Sequence, residues 1–548
     1  MRLLFYFIGL LLLAHGAASG QGKVVSESTG TAGDGGSAGG GGSARGEGSV
    51  RGEGSARGEG SAGGGGPAED VVFDQYVQQA LALWKTPGLS VVVVKDDKVV
   101  FRKAYGLVEL GKPASFTTTT LSVCASTTKA MTAVCMGMLV DEGKVKWTDK
   151  VQDVLPSFRL YDPYVTAELR VKDLFTHNAG LGNADMLWVY GYSREDILRR
   201  MRTLRPAYSF RSSFIYQNLM YIVAGELIRQ LTGQTWEDFI TQRLFTPLGM
   251  KHTYASYQRS AAEGSHEVPH FMINDSIRAI PSFTYESVGP AGGVWSCADD
   301  MDKWMLFMLD SATTRDGKRL LTADVYKELF KPQSIVTEKE FYPTRQLTHP
   351  HWTTYGLGWF QEDYRGKMVQ FHTGSLDGAV AILGLLPSEH FGIYIFGNLD
   401  HSELRHALMY KAMDLWGFHD NFRDWSADFY VLYKGIREEA RKKEKEKEAS
   451  RLPAARPSLS LSSYAGNYTN ETYGDAVISF QQDTLVMLLP NALRMKLKPW
   501  NYDTFEGDFD YPWWDKSTVT FSLDGKGKVV KFDKDGVEYT LNPEKAVK

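Results

Sequence analysis

Past residue 70 the chain alternates between two hydrophobic periods, and the changeovers mark its elements. Val72, Tyr76, Ala80 and Leu83 recur at helical spacing up to Pro87-Gly88, which predicts an opening helix with that face buried. Leu89 to Val94 and Val99 to Leu107 read as two strands joined by a turn at Lys95 to Lys98, the pattern of a hairpin. Helical patterns follow after Thr117 to Thr120 and near 195 to 205, 218 to 232 and 300 to 311. Strand patterns return between Tyr355 and Phe396, and His401 to Phe418 reads as a closing helix. Strands in adjacent runs at both ends, with helices between, predict an α+β class: an antiparallel sheet covered by helices.

From Arg437 to Glu448 nearly every residue is charged, which predicts a solvated helix or linker. Pro453 and Pro457 end it. Short alternating segments then run from Leu461 to about Leu541, a small β-sandwich or barrel with Trp500, Trp513 and Trp514 expected in its core. At the other end, 18 of the chain's 54 glycines lie between Gly30 and Gly66, with three tandem Gly-Ser-[Ala/Val]-Arg-Gly-Glu copies from Gly42 to Glu59. Such a segment has nothing to bury and reads as a flexible spacer or a weak matrix-binding tail. The expected boundaries are 1–20 (signal peptide), 21–66 (Gly-rich segment), 67–418 (main domain), 419–460 (charged linker) and 461–545 (β-domain).

The signal-peptide reading rests on Arg2, the apolar run Leu3 to Ala14 and the small residues Gly16 to Gly20. About a dozen apolar residues fall short of the roughly 20 needed to span a bilayer, so secretion without a membrane span is expected. Net charge is -4 with pI near 6.3, which gives no electrostatic footprint for nucleic acid. Three cysteines, Cys124, Cys135 and Cys297, are too few for a disulfide framework and are expected as buried free thiols. Sequons at Asn274, Asn467 and Asn470 are glycosylation candidates in a secreted chain. His349 and His351 lack partners at metal-ligand spacing, and no metal or cofactor is expected.

Three short motifs carry candidate chemistry. Ser126-Thr-Thr-Lys129 places a lysine amine one turn from a serine hydroxyl if a helix starts there, and a desolvated lysine can take the hydroxyl proton. A helix-capping serine and a surface lysine account for the same spacing. Tyr216-Gln217-Asn218 opens a helix, where a phenol can relay protons and an amide can orient a lysine; core packing and capping are the alternative. His372-Thr373-Gly374-Ser375 lies on a strand pattern, where glycine admits close approach and the Ser375 amide can join that of Ser126 in an oxyanion hole. A satisfied strand histidine is the alternative for His372.

Taken in order, the motifs resemble those of the serine β-lactamase-related family: class C β-lactamases, penicillin-binding DD-peptidases of the peptidase S12 type, and esterases of the same fold. Val171 to Leu181, Phe245 to Met250 and Pro290 to Ser296 resemble further family segments, so the likeness spans about residues 70 to 418. Leu461 to Leu541 is similar to the lipocalin-like domain that follows in some members, through Tyr464-Ala-Gly-Asn-Tyr468 and Trp500-Asn-Tyr-Asp-Thr-Phe505. The resemblance implies acyl transfer. Ser126 would be the nucleophile, Lys129 and Tyr216 would share the proton transfers, and Asn218 with His372 to Ser375 would bind a small amide, ester or peptide substrate. Many penicillin-recognising members carry Lys where this chain has His372, so a peptidase or esterase is expected rather than an efficient β-lactamase. Signal, glycine repeats and this domain together also resemble gigasin-type proteins of calcified shell matrices. A structural role among extracellular matrix components is therefore the alternative expectation.

Overall fold

The computed structural model describes residues 68–282 and 284–544; the signal-peptide and glycine-repeat readings fall outside them. Helix α1 (Glu69–Trp84) opens the described chain. Its buried stripe is Phe73, Val77, Ala80 and Trp84, whereas Leu83 is exposed. The face is thus turned from the expected one, because it seats the two largest rings, while Tyr76 stays at the rim and bonds Asp424 and the Ser426 amide.

Strands β1 (Gly88–Lys95) and β2 (Lys98–Gly106) form the expected hairpin. Asp96 and Asp97 both take positive φ in its two-residue turn, as a tight hairpin of this twist requires. The sheet is completed by β3 (Ser334–Ile335), β4 (Thr353–Tyr355), β5 (Phe360–Tyr364), β6 (Lys367–Leu376), β7 (Ala379–Leu386) and β8 (Phe391–Gly397). All pairings are antiparallel, in the order β2-β1-β8-β7-β6-β5-β4-β3. Both ends of the domain sequence therefore meet inside the sheet, where β1, one strand from the β2 edge, lies against β8.

Both faces of this sheet are covered. Val92, Val94, Leu383 and Phe396 point into one core with helices α2 (Thr128–Asp141), α3 (Leu219–Thr232) and α4 (Ala298–Leu309). Val91, Val93, Ile382 and Ile395 point into another with α1 and α5 (Leu404–Ala412). Period-two alternation sorts one strand into two cores, which is why β1, β7 and β8 read as nearly unbroken apolar runs. The charged helix α6 (Trp425–Ala449) starts within the second core through Trp425 and Phe429 and ends in solvent. The main domain's packing thus extends beyond residue 418.

The C-terminal strands β9 (Gly466–Asn470), β10 (Gly474–Gln481), β11 (Thr484–Leu489), β12 (Leu493–Asn501), β13 (Thr504–Phe509), β14 (Ser517–Leu523), β15 (Val529–Lys534) and β16 (Val537–Leu541) form a closed, lipocalin-like barrel in chain order. Tyr468 opposite Leu541 closes it. The interior is filled by Tyr464, Tyr468, Phe505, Phe521, Phe532 and Tyr539, at ring-centroid spacings near 5 Å. The expected tryptophans are elsewhere. Trp513 packs with Phe271, Ile273 and Ile280 of the main domain, and Trp500 lies beneath Lys447 and Arg451. A tapering barrel admits Tyr and Phe, and the larger indoles serve the junctions instead.

Cys124, Cys135 and Cys297 are buried free thiols. Of the sequons, Asn274 sits exposed in a hairpin turn. Asn467 is buried in β9, and the Asn470 amide is committed to Glu538, Thr472 and Tyr473. Among the described residues no helix is long and apolar enough to cross a membrane.

Candidate active site

Ser126 stands in a one-turn 3-10 segment, Ala125–Thr127, that feeds directly into α2. Ala125 has φ 45°, a left-handed conformation that costs a residue with a Cβ and persists where the surroundings enforce it. They do so here: the Thr127 hydroxyl bonds both Cys124 O (2.9 Å) and Tyr394 Oη (2.6 Å), and Cys124 N–H donates to Val294 O. The result lifts the Ser126 side chain half out of the protein.

Lys129 lies one turn on and is fully buried. Its Nζ donates to Ser126 Oγ (3.1 Å), Asn218 Oδ1 (2.7 Å) and Ala291 O (2.8 Å). Burial disfavours the ammonium and brings its pKa down to about 7, opposed by the Asp185 carboxylate. At neutral pH a large fraction of this amine is therefore free base, three ångströms from a serine hydroxyl.

Asn218 occupies the cap position of α3, yet its side chain caps nothing. Gln217 Oε1 accepts the Met220 N–H instead, which leaves the Asn218 amide to bridge Lys129 and Asp185 (3.0 and 3.1 Å). Asp185 is held in turn by Trp188 Nε1 and Asn183 Nδ2. Tyr216 lies between these groups and the sheet. Its ring faces Lys129 Nζ at 4.9 Å and stands 4.3 Å from the His177 ring. Its buried hydroxyl faces Ser126 without a completed hydrogen bond, and burial pushes its pKa well above the usual value. Tyr216 is thus a neutral phenol at physiological pH, with a hydroxyl proton available to donate.

The third motif lies on β6. A side chain at Gly374 would collide with Cys124 O and come within 3.0 Å of Ala125 Cβ; glycine is what lets this strand touch the nucleophile turn. Thr373 Oγ1 pairs with Tyr342 Oη (2.6 Å), and Ser375 Oγ accepts from Arg405 Nη1 (2.9 Å). Arg405, from α5, also donates to Gly374 O (2.5 Å) and pairs with Glu403. His372 lines the cleft as well, but its ring nitrogens are both used within the protein. The ring is buried, Nδ1–H donates to Thr373 O (2.6 Å), and Nε2 accepts from Tyr355 Oη (2.9 Å). Burial and nearby Lys129 bring its pKa to about 3. The imidazole is neutral with both nitrogens spent, and it braces the strand.

Ser126, Tyr216, Asn218, His372, Thr373 and Ser375 thus line one cleft of about 2150 Å³, with Lys129 beneath it. Sequence reasoning missed Asp185, the Ala291 carbonyl, Tyr342, Tyr355 and Arg405. Ala291 lies in the Pro290 to Ser296 segment that carries part of the resemblance, but a backbone acceptor leaves no signature in residue type. The barrel also lines the cleft, through residues including Trp514, Tyr473 and Lys534.

The Beta-lactamase family model matches residues 73–415, and a domain of unknown function, DUF3471, matches 450–546. Among curated proteins, an unguisins hydrolase of Aspergillus campestris is 28% identical over 76% of this chain and 78% of its own. Protein flp of Staphylococcus aureus is 24% identical over 60% of this chain and 62% of its own. The solved octameric penicillin-binding protein homologue from Pyrococcus abyssi superposes with a TM-score of 0.57 at 17% identity, over 86% of this chain and 99% of that one. The last likeness establishes the fold and extends it across the barrel. Since the family model spans well over half of the sequence and its three motifs converge on one serine, the chain belongs to the Beta-lactamase family and is a serine hydrolase-like protein.

Proposed function

We propose that the protein is a secreted serine hydrolase that forms and hydrolyses an acyl-enzyme on Ser126, with a peptide amide or an ester as substrate. The observation that carries this reading is Lys129: a fully buried amine with pKa near 7, held on Ser126 Oγ by Asn218 and Ala291 O. In acylation, Lys129 takes the serine proton as Oγ attacks the carbonyl carbon, and the Ser126 and Ser375 amides receive the oxyanion. Tyr216, protonated, passes a proton to the leaving group while Lys129 resupplies it. Water then attacks the acyl carbon by the reverse relay and restores Ser126.

Two observations favour a peptidase or esterase over a β-lactamase. The neutral, fully bonded His372 supplies no cation for a small carboxylate. The cleft also exceeds the roughly 300–1,000 Å³ of ordinary small-molecule pockets, which suits an extended substrate. A relative named as an unguisins hydrolase supports hydrolysis as the chemistry. The test is covalent labelling with a fluorophosphonate and with a fluorescent penicillin, comparing the natural chain with Ser126→Ala. Loss of labelling in the variant supports the proposal, and rapid turnover of a chromogenic cephalosporin would overturn the preference against β-lactams.

A second reading, a matrix protein, is favoured by the glycine repeats from Gly42 to Glu59. It calls for retention on insoluble extracellular matrix that is lost on deleting residues 21–66, whatever the state of Ser126. For secretion, the mature N-terminus should begin near residue 20, and Asn274→Gln should remove a glycan.

A further inference from the structure

Among the barrel segments that line the cleft is the loop of residues 510–516, between β13 and β14. Trp513 and Trp514 both donate their indole N–H to a single oxygen, Asp377 Oδ2, at 3.1 and 2.8 Å. Asp377 follows the last residue of β6, in the turn to β7. Three residues before it, Gly374 is pressed on Cys124 and Ala125, which immediately precede Ser126. Three residues span at most about 11 Å, so Trp514 is anchored to the end of the same strand that packs against the Ser126 turn.

Trp514 is half-buried, stands edge-on to Phe509 at 5.1 Å, and lines the same cleft as Ser126. On the main-domain side that cleft is lined by Trp188 and Tyr285, whose rings meet at 4.7 Å and 74°. Trp188 is fixed by its N–H to Asp185. Two aromatic pairs, one from each domain, therefore line the cleft that also holds Ser126. The Trp188 and Trp514 indoles have their N–H groups already bonded, so they add apolar wall to this cleft at little further ordering cost.

We propose that Trp188, Tyr285, Phe509 and Trp514 form a substrate subsite for a bulky apolar side chain of a peptide or amino-acid ester, and that Trp514 is its specificity-determining residue. The barrel is then part of the substrate site, and Asp377 is the positioning residue that holds Trp514. This inference rests on the hydrolase reading for its kinetic arm.

The test uses the full chain and two probes, the p-nitrophenyl esters of N-acetyl-phenylalanine and N-acetyl-alanine. The readout is the ratio of their kcat/KM values, which cancels general damage. The natural chain should prefer the phenylalanine ester, and Trp514→Ala should reduce that preference roughly tenfold or more. Trp514→Phe keeps the ring and should stay close to the natural ratio. An unchanged ratio in Trp514→Ala, or equal losses on both esters, would overturn the subsite. A second arm measures binding of N-acetyl-phenylalaninamide and N-acetyl-alaninamide to the Ser126→Ala chain by calorimetry. Tighter binding of the phenylalanine amide, abolished by adding Trp514→Ala, supports the subsite even if the esters are not turned over. Equal binding of the two amides refutes it independently of catalysis.

Discussion

Replacing Asp185 by Asn should make the serine reactive at lower pH. Lys129 owes its pKa of about 7 to burial, and Asp185 is the charge that holds it from falling further. The two are linked through Asn218, by bonds of 2.7 and 3.0 Å, which sets the charges about 8 Å apart; at an effective dielectric near 20 their attraction is about 2 kcal/mol, or roughly 1.5 pKa units. Serine labelling needs the free amine. Its rate should rise with pH through about 7 in the natural chain and fall about tenfold per unit below that. Removing the carboxylate charge disfavours the ammonium, so the midpoint moves down by about one unit or more. The assay is the second-order rate of fluorophosphonate labelling from pH 5 to 9, with thermal melting to confirm folding. The new amide also sets an N–H₂ against donors that Asp185 now accepts, and some stability loss is expected. An unmoved or raised midpoint would refute the assignment of Lys129 as the titrating base.

Three more outcomes follow from the geometry. Gly374→Ala forces a methyl onto the Cys124 carbonyl; labelling should be lost and melting lowered, at a cost of about 1–3 kcal/mol. Arg405→Met leaves Glu403 buried beside His406 without its guanidinium, and chemical denaturation should show a loss of about 3–5 kcal/mol. Glu267 is buried with its pKa raised to about 8, so the folded state holds a proton that the unfolded chain releases above about pH 4.5. Its stability contribution is therefore present in acid and declines by about 1.4 kcal/mol per pH unit up to pH 8. Glu267→Gln should flatten that decline, as read from melting temperatures at pH 5 and pH 8.

The fold was legible wherever one period ran long enough. The β1–β2 hairpin, the apolar runs of β7 and β8, and α3 up to its Gly233 terminus each follow from their own residues. What stayed hidden depends on partners far along the chain. The α1 face was misjudged because Phe73 and Trp84 find Trp416 and Tyr430, more than three hundred residues away. The choice between sandwich and barrel rests on the pairing of Tyr468 with Leu541, which no local pattern records. Trp513 and Trp514 lie among strands of the barrel but serve Asp377, and large apolar residues in a short loop carry no mark of the domain they face.

For the site, spacing located the backbone, and burial then decided which side chains meet the reactant. Ser126 and Lys129 share a helical turn, so a spacing of three fixes their contact. Asn218 turns toward Lys129 because Gln217 has taken over the capping bond, a division of labour that residue types alone leave open. His372 shows the reverse. Its motif position placed it on the strand that abuts the serine and it lines the cleft there, but its ring packs against Tyr355 and Phe360. There Tyr355 and the Thr373 carbonyl use both nitrogens. A lysine in that place would need its ammonium desolvated among the same rings, at a cost of several kcal/mol unless a partner charge followed it. Restoring a carboxylate-binding cation at this position therefore requires more than His372→Lys: the rings packed around it have to make room for a solvated ammonium as well.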